Sequence, residues 1–286
     1  MTSAQPVQAP PATSPMIARY DRPWFFYVWA TAIPWALWFV AAWTSQTPQW
    51  ALATTILGVL GLAAPLGVVA WLTRGDPALR RDILRRLPLR GVHPLWIVAA
   101  CGLLPAAVFL ATALSIPLGY STDQFLLRGS ATFTTGLMSG WIVLVLAPIL
   151  EELAWHSYGT DTLRRHFTVF TTSMIFAVLW ALWHLPLAFI DGSSQNQTAG
   201  EGLWHALNFP LSMIPFVLFM NWIYYRSGRN ITVTILFHLA GNLITQVFAT
   251  HPDTELIVTG LLLVATVVLL LAERRLFFSP PPAAVR

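Results

Sequence analysis

The chain has 286 residues, 56% of them hydrophobic and only 10% charged, with a mean hydropathy of +0.63. A soluble domain carries about 25% charged residues, so this composition excludes one and describes a single polytopic membrane bundle. The net charge of +4 does not mark a nucleic-acid binder, because the basic residues fall in short clusters between apolar runs.

The first 18 residues, MTSAQPVQAPPATSPMIA, are rich in Pro, Ala and Ser and lack a basic stretch. They read as a disordered tail rather than a signal peptide. Residues 19–275 form the expected bundle, with a short cytoplasmic tail at 276–286. A spanning helix needs about 20 apolar residues. Segments that meet this run over 24–44, 51–73, 95–118, 136–158, 168–190, 203–225, 231–249 and 256–272. Eight spans put both termini on one side.

All 16 basic residues are arginine, which suggests a GC-rich, bacterial genome. Only Arg128 falls on the far side of this topology; the other 15 lie on the side of the termini, which the positive-inside rule makes cytoplasmic. Loop 74–94 has Leu79, Ile83, Leu84 and Leu87 at helical spacing among six arginines. It reads as an interfacial helix on anionic lipid or as a basic loop that sets orientation. Cys101 is the single cysteine, so no intrachain disulfide forms, and its apolar run suggests a small core residue.

Polar groups interrupt the second half of the chain: Glu151 and Glu152, His184, His238 and Asn242. A single histidine or asparagine in a span most often hydrogen-bonds a neighbouring helix. Several such groups from three spans at similar depth make a functional site the stronger reading, since each ionisable one costs at least about 2.5 kcal/mol to insert. Neighbouring Glu151 and Glu152 project about 100° apart, so they cannot face one pocket equally. Glu152 and His156 are four apart and can pair, which leaves Glu151 free to act as a base. His238 and Asn242 share a helix face, as do Trp180 and His184, the indole forming a wall beside the imidazole. Together these groups suit hydrolysis of an amide or ester: a glutamate base, a histidine that orients water, and two hydrogen-bond donors for an oxyanion. No serine or cysteine sits beside a base as a nucleophile.

The runs EELAWHSYG, LWALWHLPL and FHLAGN resemble the EExxxR, aromatic-xxx-His and HxxxN motifs of the CAAX-protease and bacteriocin-processing (CPBP, or Abi) family of intramembrane endopeptidases. The resemblance covers about residues 136–245. It implies that Glu151 and His184 activate water, that His238 and Asn242 form the oxyanion site, that no cofactor is needed, and that the cavity opens toward the cytoplasm of a bacterial inner membrane. The implied substrate is a membrane-associated protein or peptide. One position departs: the motif's arginine is His156, which either pairs with Glu152 in the arginine's place or changes how a substrate carboxylate is bound. Two rival readings remain. Glu151, His184 and His238 are a possible zinc set, although no HExxH is present. A non-catalytic partner-binding or bacteriocin-immunity protein, or a proton relay, would use similar residues.

Overall fold

A computed structural model describes residues 15–281. Among the described residues six helices are long and apolar enough to cross a membrane: Pro23–Ser45 (α1), Pro48–Thr73, whose α-helical part Ala51–Thr73 is α2, Pro94–Leu118 (α4, Pro94–Ser115), Val169–Phe189 (α7, Val169–Trp183), Leu203–Arg226 (α9) and Pro252–Ala272 (α11). The other two expected spans carry the polar groups apart from His184, which ends α7. Gly140–Ala154 (α5) continues through a π-turn at Trp155–Gly159 into Thr160–Arg164 (α6), and Ile231–Val247 (α10) is short but apolar. Three short helices, Pro77–Arg85 (α3), Ser194–Gly200 (α8) and Arg274–Phe278 (α12), and a two-stranded hairpin of Thr134–Thr135 (β1) and Met138–Ser139 (β2) complete the chain.

The outer faces are as apolar as the interior, with Trp24, Trp43, Val98 and Val267 all exposed. A helix packed among other helices in lipid has no hydrophobic contrast to hide, so close approach by small residues decides which faces meet. Gly61 shows this between α1 and α2: a Cβ there would collide with the Trp38 indole, whose Nε1 donates to the Gly58 carbonyl at 3.1 Å. The same lack of contrast explains Cys101, which is exposed on α4 and not a core residue. Hydropathy alone cannot tell a lipid-facing position from a buried one.

Hydrogen bonds between distant segments sort the loops into two ends. At one end, Arg19 pairs with Asp76, Arg86 with Asp161, and Arg164 donates to the Pro280 carbonyl. At the other, Arg128 donates to the Phe248 and Thr250 carbonyls, and Gln197 to that of Thr132. The first set holds the arginine-rich loops and the start and end of the described chain, as the arginine count requires. Most of the expected tail, residues 1–14, lies outside the described residues, as do 282–286. Its last residues, however, join the 3-10 helix Pro15–Arg19 with Ile17 buried, and α12 buries Leu276 and Phe277. The bundle therefore extends past 275.

Helix α3 forms in the 74–94 loop, capped by the Asp76 carboxylate, which accepts from the amides of Ala78 and Leu79. It buries Leu79 and exposes Arg80, Arg81, Leu84 and Arg85. Arg86, next in sequence, instead turns inward and is buried.

Candidate active site

The site is built by α5, α7, α9 and α10. Glu151 and Glu152 diverge as their 100° separation requires. Glu151 lines a cavity of about 340 Å³ together with Trp180, His184, His238 and Asn242. Its Oε2 accepts the Trp180 indole N–H at 2.8 Å and lies 4.0 Å from Nε2 of His184. Trp180 is thus more than a wall, since its ring also lies 5.4 Å from His184 and 5.3 Å from His238. Nδ1 of His184 donates to the Trp180 carbonyl at 2.7 Å, which turns the other nitrogen, Nε2, toward Glu151. Pro186 follows just after the end of α7, where the chain tightens into a 3-10 turn over Leu185–Phe189, the break expected of proline there.

Glu152 points away from the cavity and is fully buried. Its two oxygens bind two histidines: Oε2 accepts from Nδ1 of His156, and Oε1 from Nδ1 of His238 at 2.8 Å. The sequence spacing indicates the first pair but not the second, because His238 lies 86 residues further on in a different helix. His238 and Asn242 both line the cavity, one turn apart on α10.

His156 stands where an arginine was expected, and its surroundings define its role. Nε2 faces the Asn221 side-chain oxygen at 3.0 Å, Asn221 donates its N–H to Ser173 at 2.8 Å, and Ser173 donates in turn to the Val169 carbonyl at 2.8 Å. That chain fixes the asparagine oxygen toward the imidazole. Both ring nitrogens of His156 therefore lie against side-chain oxygens, those of Glu152 and Asn221. His156 is fully buried, packed between Tyr224 and Phe176 at ring distances of 4.8 and 5.9 Å, and does not line the cavity. Of the two roles open to it, this geometry leaves pairing with Glu152 and gives it no route to a substrate carboxylate. Asn221 and Ser173 were not singled out from the sequence. Asn221 was detectable as an amide alone in the apolar run PFVLFMNWIYY.

At the arginine-rich end the site is closed by a second polar cluster. The π-turn at Trp155–Gly159 widens the helix and frees backbone carbonyls. Arg86 donates to the carbonyls of His156 at 3.1 Å and Ser157 at 2.7 Å, and the Tyr224 hydroxyl also donates to the former at 2.8 Å. Buried Asp161, beyond the span, binds Arg86 and Arg229. Burial opposes its ionisation, but the Arg229 and Arg86 guanidiniums outweigh that and hold its carboxyl below the usual aspartate range.

At the arginine-poor end the cavity continues among Thr135 of β1, Gln195 of α8 and the loop residues Ser193 and Thr250. The cavity lining therefore extends toward the end opposite the arginine-rich loops. Among the described residues, no group of three His, Cys, Asp or Glu is arranged to hold a metal ion.

Comparison with known proteins shows the family. Residues 131–244 match the family model described as Type II CAAX prenyl endopeptidase Rce1-like, a span that contains all three motifs. The CAAX prenyl protease 2 of Methanococcus maripaludis is 31% identical over 251 residues, covering 86% of this chain and 93% of that protein. With the likeness extending well beyond the motifs, over nearly the whole of both chains, the protein belongs to the Rce1-like CAAX prenyl endopeptidases and is a multi-pass membrane protease that hydrolyses peptide bonds.

Proposed function

We propose that the chain cleaves a membrane-associated protein or peptide with a water molecule activated by Glu151, without a metal ion. The observation that carries this is the 4.0 Å separation of Glu151 Oε2 and His184 Nε2 on the cavity wall. With Nδ1 of His184 donating to a carbonyl, Nε2 of the neutral ring is an acceptor. Two acceptors at that spacing can each take one hydrogen bond from the same water. Glu151 removes a proton as the water oxygen attacks the scissile carbonyl carbon. The resulting oxyanion lies against Asn242 and His238. Nδ1 of His238 is committed to Glu152, so the ring donates from Nε2 only when protonated, and the Glu152 carboxylate is the counter-ion of that form. As the carbon–nitrogen bond breaks, Glu151 returns its proton to the leaving amine.

The arginine-rich end faces the cytoplasm on this reading, and substrate enters from the opposite face of the cell membrane. Purified full-length protein in detergent, its metal content measured, tests the mechanism on a mixture of synthetic peptides read by mass spectrometry. Cleavage that persists with a strong chelator and is lost in Glu151→Gln is the expected result. Stoichiometric zinc removed together with activity would overturn it.

A further inference from the structure

The charged lining of the cavity is uneven. Besides Glu151 and the imidazoles of His184 and His238, the only ionisable side chain along it among the described residues is Glu255, on the first turn of α11. No arginine lines the cavity. The basic side chains that act on Glu255, His205 and Arg128, have partners of their own. His205 binds Asp253 at 3.0 Å, and Asp253 also accepts from the Tyr120 hydroxyl at 2.7 Å. The Arg128 guanidinium is spent on the Phe248 and Thr250 carbonyls at 2.7 and 3.0 Å. Among the described residues the Glu255 carboxylate has neither a hydrogen bond nor a salt bridge, although it is partly buried. A carboxylate in such surroundings is costly until something pairs with it.

We infer that Glu255 reads the charge of the substrate, which presents a cationic group to it: an arginine or lysine side chain, or a free α-amine. This rests on the protease reading of the same cavity. A substrate recognised by its own terminal carboxylate would find no arginine here and would meet Glu255 as a like charge. His156, at the position where an arginine was expected, is sealed behind Glu152 and Asn221. Glu255 also lies on the cavity wall toward the arginine-poor end, on the first turn of α11.

The test uses full-length protein in detergent and synthetic peptides in which each position is occupied in turn by Arg, Met or Glu. Wild type should cleave the Arg peptide over the Glu peptide by about tenfold or more in kcat/KM at one position relative to the cut. In Glu255→Gln that ratio should fall close to one, and in Glu255→Arg it should invert, with thermal unfolding in detergent confirming that both variants are folded. An Arg-to-Glu ratio unchanged by either folded variant would overturn the inference, as would a wild-type preference for Glu. Should either variant fail to fold, the wild-type ratio decides alone. Equal processing by wild type and Glu151→Gln would overturn instead the protease mechanism on which the inference rests.

Discussion

Glu152 and His156 are the residues whose roles depend most on their surroundings. One carboxylate holds two imidazoles from different helices, so Glu152 positions His238 while Glu151 faces the cavity. Removing one partner of a buried ion pair costs about 3–5 kcal/mol, because the other partner is left without a counter-charge. Glu152→Gln is therefore expected to lower the Tm in detergent and the activity together, whereas Glu151→Gln should lose activity by about a hundredfold or more with little change in Tm. A Glu151→Gln variant with a collapsed Tm would show that the two roles are not separated in this way. Restoring the motif's arginine should not help. His156→Arg would force a longer side chain between Tyr224, Phe176 and Asn221, so it should lower Tm by several degrees and raise no activity. A more active His156→Arg enzyme would contradict this packing argument.

At the scale of the elements, the bond between α3 and the α5–α6 turn matters most. The π-turn leaves carbonyls that Arg86 satisfies, and Arg86 and Arg229 together neutralise Asp161. Since the folded Asp161 carboxyl is held below its usual value, its contribution to stability is complete above the unfolded carboxylate pKa of about 4 and is lost as pH falls toward the folded value. Tm should thus be lower at pH 7 in Asp161→Asn than in wild type. The gap should narrow below about pH 4, as measured by scanning unfolding in detergent. A gap that stays constant with pH would rule out ionised Asp161 as the source. None of this was legible in the sequence. Arg86 belongs to a run of six arginines in the 74–94 loop, and nothing in the run distinguishes the one that turns inward from those that face solvent or lipid. Periodicity offered the helix α3 as one of two readings of that loop, because an amphipathic pattern beside water carries the contrast that spans in lipid lack.

Across the whole molecule, the spans were legible because their lengths follow from bilayer thickness, and the catalytic candidates because polar groups are costly in hydrocarbon. The motifs brought Glu151, Trp180, His184, His238 and Asn242 to one cavity, as their order implied. What escaped was the pairing across helices, Glu152 with His238 and His156 with Asn221, since three-dimensional neighbours far apart in sequence leave no periodic trace. The side of the membrane that the cavity meets is open to a direct test. On a Cys101→Ser background, Gln195→Cys at the cavity and Arg81→Cys on α3 should label differently with a membrane-impermeant maleimide. Position 195 should react in intact cells and position 81 only after permeabilisation. The reverse pattern would turn the molecule over in the membrane. The central claim, peptide hydrolysis dependent on Glu151, is tested most directly by comparing new peptide termini, by mass spectrometry, in membranes of cells that express wild type or Glu151→Gln at equal levels. The account predicts a set of termini present with wild type and absent with the variant, and identical termini in both would contradict it.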